Sequence, residues 1–347
     1  MKNKDPRGHT AFEKQRQLFD VPEQSEAPAD FVYEGYSRGE IWCGDSLDLM
    51  KDLEDESVNL CFTSPPFPLI AKKSYGNKSE NEYIDWLMPF LKLIQEKLAM
   101  SGSLVIDLGC CWEKGSPVRS SYDLRLPLRV IDELGMFFAQ EFYWYNPSRL
   151  PTPAEWVTIR RERVKDSVDK LLWFSKAPFP KANNAHVLQP YSKSMEAKFG
   201  KRPDGRRPSG HRPSAQMHSF RNPGSIPGNL LACGNNNSLD PYLRFCKAEG
   251  LSPHPARFPY ELPEFFVRLL TLPGDLVLDP FAGSCTSGYA AEKNDRRWVC
   301  IEENEEFTAT AKGHFYSRKE RKDASISLPR LGNYAPPIST DEEDQRC

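Results

Sequence analysis

Val58-Asn59-Leu60-Cys61-Phe62-Thr63-Ser64-Pro65-Pro66-Phe67 is an apolar run that stops at a double proline. An apolar run of that length reads as a strand buried on both faces, and the prolines end it in a tight loop. Far downstream, Asp275-Leu276-Val277-Leu278-Asp279-Pro280-Phe281-Ala282-Gly283-Ser284 repeats the pattern, a buried strand and then a loop of small residues. Open α/β sheets bind ligands at the carboxyl ends of their strands. Two such ends point to one cleft built from distant segments.

Around these anchors the chain alternates. Ile41-Trp42-Cys43, Ser103 to Asp107, Phe138 to Tyr145, Lys170 to Phe174 and Trp298 to Ile301 read as strands. Apolar residues at helical spacing mark Leu47 to Leu53, Glu82 to Met100, Leu124 to Leu134, Leu262 to Leu272 and Thr286 to Asn294. This alternation predicts an α/β fold whose parallel-type sheet is covered on both faces. Residues 184–252 break it: they are rich in Pro, Gly, Asn and basic residues and lack sustained periodicity. They read as a loop-rich insertion between an upstream half, 39–183, and a downstream half, 253–316. The polar ends, 1–38 and 317–347, read as flexible tails.

A chain of 347 residues can bury a large core. No apolar stretch approaches the ~20 residues that span a bilayer, and the polar start has no signal-peptide core, so a cytosolic protein is expected. Nine cysteines without C-x-x-C spacing predict reduced thiols and no metal centre. The net charge of -2 conceals a basic stretch. Lys193, Lys198, Lys201, Arg202, Arg206, Arg207, Arg212 and Arg221 are opposed there only by Glu196 and Asp204. Arg160-Arg161-Glu162-Arg163-Val164-Lys165 is a second basic knot. Such charge fits a polyanion on one face, and equally a solvated loop.

The Ser64-Pro65-Pro66-Phe67 loop carries specific chemistry. Two prolines remove two N–H donors, so the loop presents acceptors without competing donors. The Pro65 carbonyl and the Ser64 hydroxyl can draw the protons of an exocyclic amine out of the base plane and free its lone pair. Phe67 offers a face for stacking. The plainer alternative is a strand terminator with a buried phenylalanine. Asp107, at the end of its strand, is a candidate partner for Ser64 or acceptor of the departing proton if ionised. A structural strand-end aspartate is the other reading. In the downstream half, helix-start N–H groups behind the small-residue loop would face a carboxylate or phosphate. Glu302, ending the next strand, is placed to take both hydroxyls of a ribose, or is a surface glutamate.

These segments resemble DNA amino-methyltransferases: Ser64-Pro65-Pro66-Phe67 their catalytic signature, Asp279 to Ser284 their S-adenosylmethionine (SAM) loop. The order of catalytic loop, basic region and SAM loop matches the β group. Serine before Pro-Pro matches the cytosine-N4 type. Tyr75-Gly76-Asn77, Tyr143 to Ser148, Trp173-Phe174-Ser175-Lys176, Arg207 to His211 and Ser225-Ile226-Pro227 are similar to its PvuII-type branch. The resemblance implies a Rossmann-like, SAM-dependent methyltransferase sheet, circularly permuted so that the catalytic half precedes the cofactor half. Residues 184–252 become the target-recognition region. Asp279, Pro280, Phe281, Gly283 and Ser284 would bind the methionine end of SAM, with Cys285 where many relatives have glycine, a local adjustment. Glu302 would hold the ribose and Asp45 the adenine amine, unless Asp45 simply caps a helix. Phe258, within His254 to Pro259, would close over the cofactor.

Phe67 and Tyr145 would flank a cytosine flipped out of duplex DNA, and Arg206, Arg207, His211, Arg212 and His218 would supply base-edge contacts at a short, CAGCTG-like palindrome. A cognate restriction endonuclease acting on the same site, a nucleoid-associated cytoplasmic location, and a monomer or weak dimer complete the expectation. Adenine-N6 methylation, RNA methylation and a non-catalytic SAM- or DNA-binding module are the rivals. Cytosine C5 chemistry is disfavoured, because no Pro-Cys dipeptide supplies its nucleophile.

Overall fold

The computed structural model describes residues 31–68, 80–113, 115–200, 223–235 and 240–318. The strands are β1 Phe31–Tyr33, β2 Gly39–Cys43, β3 Val58–Thr63, β4 Leu98–Leu108, β5 Phe137–Tyr145, β6 Val168–Ser175, β7 Leu230–Ala232, β8 Leu276–Asp279, β9 Arg297–Glu302 and β10 Tyr316–Arg318. The helices are α1 Ser46–Leu49, α2 Glu80–Lys97, α3 Tyr122–Leu134, α4 Lys193–Glu196, α5 Pro241–Glu249, α6 Glu261–Leu270, α7 Thr286–Lys293 and α8 Glu305–Ala311. Eight strands form one sheet in the order β2-β9-β8-β3-β4-β6-β5-β7.

The central strands are apolar on both faces because helices cover both. Along β3, Leu60 and Phe62 pack into the layer of Leu262, Phe266 and Val267 from α6. Cys61 points the other way, into the layer of Leu87, Leu91 and Ile94 from α2 and Leu126 and Val130 from α3. This is the period-two alternation of a strand between two cores. Gly135 ends α3 as its sequence predicts, in a left-handed conformation with its N–H on the Ile131 carbonyl at 3.1 Å.

Three expectations change. The sheet is not wholly parallel: β6 runs antiparallel to both β4 and β5. β5 and β6 follow one another in the chain and pair directly as antiparallel neighbours, which sets β6 against the direction of β4 as well. The segment 184–252 contributes β7, which pairs with β5, and α5. Asp240 caps α5 with Pro241 in its first turn, and Tyr242, Phe245 and Cys246 pack with Tyr316. Elements this short carry too little periodicity to be seen in sequence. Order also reaches into both expected tails. β1 pairs antiparallel with β10, and Tyr36 packs its ring 5.2 Å from Trp298 and 4.6 Å from Phe315.

Register aligns the functional strand ends. Leu60 and Cys61 of β3 pair with Val277 and Leu278 of β8, and Thr63 pairs with Ile106 of β4. Asp279 pairs with Cys300, and Glu302 with Cys43. The loops after β2, β3, β4, β8 and β9 therefore open on one edge of the sheet.

β2 closes the sheet through a tight contact. A Cβ on Gly39 would overlap the Trp298 indole and carbonyl. Gly39→Ala is expected to cost about 1–3 kcal/mol by overpacking, read as a lowered urea midpoint with unchanged slope. An unchanged midpoint would show that β2 can shift freely.

Candidate active site

The strand ends enclose a cleft of about 850 Å³. Its catalytic side is lined by Ser64, Pro65, Pro66, Phe67 and Asp107, five residues that sequence reasoning brought together. The Ser64 hydroxyl donates to Asp107 Oδ2 at 3.1 Å. Phe67 lies over Gly109, where a Cβ would sit 2.6 Å from Phe67 Cδ2. The bare glycine just after β4 thus lets the ring down into the cleft wall.

Asp107 is harder to ionise than the carboxylate expected. Its side chain is buried, and Oδ1 has no partner among the described residues. Burial, and then the neighbouring Asp169, push its pKa well above the carboxylate range, against the opposing effects of Ser64 and Arg149. Asp169 is also buried, is raised by burial, and forms an ion pair with Arg149. Both Asp169 and Arg149 line the cleft.

The aromatic wall is shifted by one residue from the expectation. Trp144 and Asn146 line the cleft, and Tyr145 is not among its lining residues. Trp144 pairs with Asp169 across β5 and β6, so both project to the same side, and Tyr145 projects to the other. The Trp144 indole N–H donates to the Cys233 carbonyl at 2.9 Å, which fixes the ring.

On the cofactor side, Pro280, Phe281, Gly283, Ser284, Glu302, Asp45 and Phe258 line the cleft, and Asp279 does not. Asp279 is buried and bridges the halves. Its Oδ1 accepts from Thr63 Oγ1 at 2.7 Å and Phe281 N at 3.1 Å, and its Oδ2 accepts from Ser287 Oγ at 2.5 Å. Burial raises its pKa to about 6 in spite of these donors. Glu302 is pinned by backbone, with Gly283 N at 2.8 Å on Oε2 and Asn304 N at 2.9 Å on Oε1, while burial pushes its pKa up. Each oxygen keeps a second lone pair for a ligand hydroxyl. Asp45 does cap α1, accepting from Leu47 N at 2.7 Å, and it faces the cleft as well.

The loop itself is tightly wound. Gly283 has φ +53°, and a Cβ there would meet the His254 imidazole at 3.0 Å. Cys285 has φ +64°, a left-handed conformation that a side chain resists, which explains why glycine suits that position. The Phe281 ring packs 5.0 Å from Phe90 and 5.7 Å from Trp86. This arrangement fits SAM: an acid for ribose hydroxyls, aromatic surface for adenine, and exposed backbone at the methionine end.

Sequence reasoning gave Trp144 to the core, where it is indeed buried, held Asn146 and Arg257 only as members of family-like motifs, and missed Arg149 and Asp169 altogether; all five line the cleft. The available signal was Asp169, an acid set in the apolar run of β6. Arg206, Arg207, His211, Arg212, His218 and the Tyr75-Gly76-Asn77 stretch lie outside the described residues. Among the described residues the cysteines are free thiols, and no cluster of His, Cys, Asp and Glu could hold a metal.

Two outcomes follow from these contacts. Asp279 is more easily protonated in the fold than at its ordinary value of 3.8, so the stability it lends is present at low pH and is lost as pH rises through about 6. Relative to Asp279→Asn, the wild type should lose about 2–3 kcal/mol between roughly pH 4 and pH 7, measured by urea unfolding across that range. Gly109→Ala should lift Phe67 and lower the rate of any base-directed reaction about tenfold or more while leaving the unfolding midpoint within about 3 kcal/mol of wild type.

Residues 58–313 match the N6/N4 methyltransferase family, described as DNA methylase. Type II methyltransferase M.PvuII from Proteus hauseri is 48% identical over 283 residues, covering 80% of this chain and 84% of that protein. M.BglII from Bacillus subtilis is 26% identical, covering 78% and 67%. Among solved structures, that of the PvuII DNA methyltransferase (cytosine-N4-specific) superposes with a TM-score of 0.66 at 40% identity, covering 85% of this chain and 92% of that one. The Thermus thermophilus protein TTHA0409 shares the fold at a TM-score of 0.50, 22% identity, and coverage of 80% and 94%.

Proposed function

We propose that this chain, which belongs to the DNA methylase family, is a site-specific DNA methyltransferase that transfers a methyl group from SAM to the exocyclic N4 amine of cytosine. The observation that carries this reading is the single cleft shared by Ser64-Pro65-Pro66-Phe67 and the Gly283 loop. SAM, when bound, supplies a methyl group on a positively charged sulfur. Glu302, Asp45, Phe281 and the Gly283 backbone hold it; Phe258 lies at the same cleft, edge-on to Phe62 at 5.3 Å.

The protein's share of the chemistry is placement and charge. The Pro65 carbonyl and Ser64 hydroxyl accept the amine's hydrogens and turn its lone pair toward the methyl group. Holding the reacting atoms in line supplies much of the rate. A cytosine in a duplex cannot reach a cleft of this depth, so the base is flipped out, with Phe67 and Trp144 as its walls. Residues 184–252, with Arg206, Arg207, His211, Arg212 and His218, recognise a short palindrome of the CAGCTG kind, and arginine there favours guanine. Phosphate contacts by the same stretch make binding salt-sensitive. A restriction endonuclease cutting the same site is the expected functional partner.

Nucleoside mass spectrometry of treated DNA should return N4-methylcytosine; N6-methyladenine alone would overturn the choice of base. Plasmid exposed to the protein should resist cleavage at CAGCTG, and a site that stays sensitive discards that target. Ser64→Ala should lower turnover about 10²-fold or more with SAM affinity nearly unchanged, whereas Glu302→Ala should weaken SAM binding about tenfold or more. Equal losses in both quantities for Ser64→Ala would mark the loop as scaffolding.

A further inference from the structure

A second carboxylate lies beside the catalytic one. Asp107 near the end of β4 pairs with Leu171 of β6, so Asp169, two positions away along β6, shares its face of the sheet. Each aspartate is 2% exposed, and both line the cleft. Ser64 occupies Oδ2 of Asp107, and Arg149 occupies Oδ2 of Asp169. The remaining oxygen of each, Oδ1, is buried with no partner among the described residues. Two buried like charges facing one guanidinium ionise at a cost, so an ionised Asp107 takes up one proton readily and the group then becomes neutral overall.

We propose that Asp169 and Arg149 are positioning residues which set the charge of Asp107, the group that receives the proton released by the methylated amine. This rests on the methyltransfer function argued above. In the proton step, the amine's N–H bond breaks and its electron pair stays on nitrogen. With Asp107 ionised at the start, the proton passes to Ser64 Oγ while the Ser64 proton moves to Asp107 Oδ2, and Asp107 later returns that proton to water. The pKa directions agree with this geometry: burial and Asp169 push Asp107 up, and Arg149 draws it down. The other groups facing the pair are Tyr83 from α2, Cys110 after β4, whose backbone hydrogen-bonds to Asp169, and Asp166 before β6. Burial pushes the Tyr83 phenol and the Cys110 thiol up, so both stay neutral, and Asp166 is engaged by Arg163 at 3.0 Å. Asp169 and Arg149 are therefore the charges that govern Asp107.

The test follows the infrared band of protonated Asp107, assigned by its loss in Asp107→Asn, through a pH titration of the full chain, beside the pH profile of single-turnover methyl transfer. Asp169→Asn removes a negative neighbour and should move both midpoints down by about one pH unit. Arg149→Gln should move them up, and Arg149→Gln with Asp169→Asn should bring them back toward wild type. If Arg149→Gln alone does not fold, Asp169→Asn and the double variant decide. An unmoved Asp169→Asn midpoint, or single variants that shift in the same direction, overturns the inference. No methyl transfer by wild type overturns the function itself, and the band titration, which needs no substrate, keeps the two failures apart.

Discussion

The site depends on the parallel pairing of β3 with β8, closed by the hydrogen bond from Thr63 Oγ1 to Asp279 Oδ1 at 2.7 Å across a sequence separation of 216 residues. The catalytic loop lies on one side of that seam and the cofactor loop on the other. Further contacts reinforce it. Leu276 N donates to the Asn59 side chain at 2.9 Å, and Ser46 Oγ donates to the Pro280 carbonyl at 2.5 Å. Asp279 is unfavourable to bury as a charge, and its three donors offset only part of that penalty. A neutral residue of the same shape would hold the seam with less dependence on pH.

The cleft handles its acids in different ways. Asp279 is out of the cleft and accepts from three donors. Glu302 lies in the cleft and is held by two backbone amides, so its direction is fixed before any ligand arrives. Asp107 and Asp169 are in the cleft with lone pairs unspent, and their charge is shared with one arginine. Burial alone raises all four, and the donors around each decide how far. Carboxylates of equal formal charge thus serve as brace, clamp and proton acceptor according to their neighbours.

Much of this was legible in the chain because buried strands announce themselves. Val58 to Phe62 and Leu276 to Leu278 are apolar without interruption, and the residues just after them are the cleft's lining on both sides. What escaped sequence reading was phase and direction. Whether Trp144 or Tyr145 faces the cleft depends on how β5 pairs with β6, which alternation within one strand does not fix. The family resemblance set Asp279 at the methionine end of the cofactor, and the partner that holds its side chain, Thr63, is remote in sequence. Arg149 sits in an irregular stretch with no period to betray it. β7 and α5 are too short to stand out from the loops around them.

The pairing of β1 with β10 brings Phe31 opposite Arg318, so the first and last of the described strands lie side by side. A short bridge could join them at little entropic expense. New ends opened in the loop-rich segment between β6 and β8 would then yield a chain that begins with the cofactor strands and finishes with the catalytic ones. The spatial molecule would be unchanged while its linear spelling was rotated, so the sheet constrains which loops must meet and leaves their genetic order open.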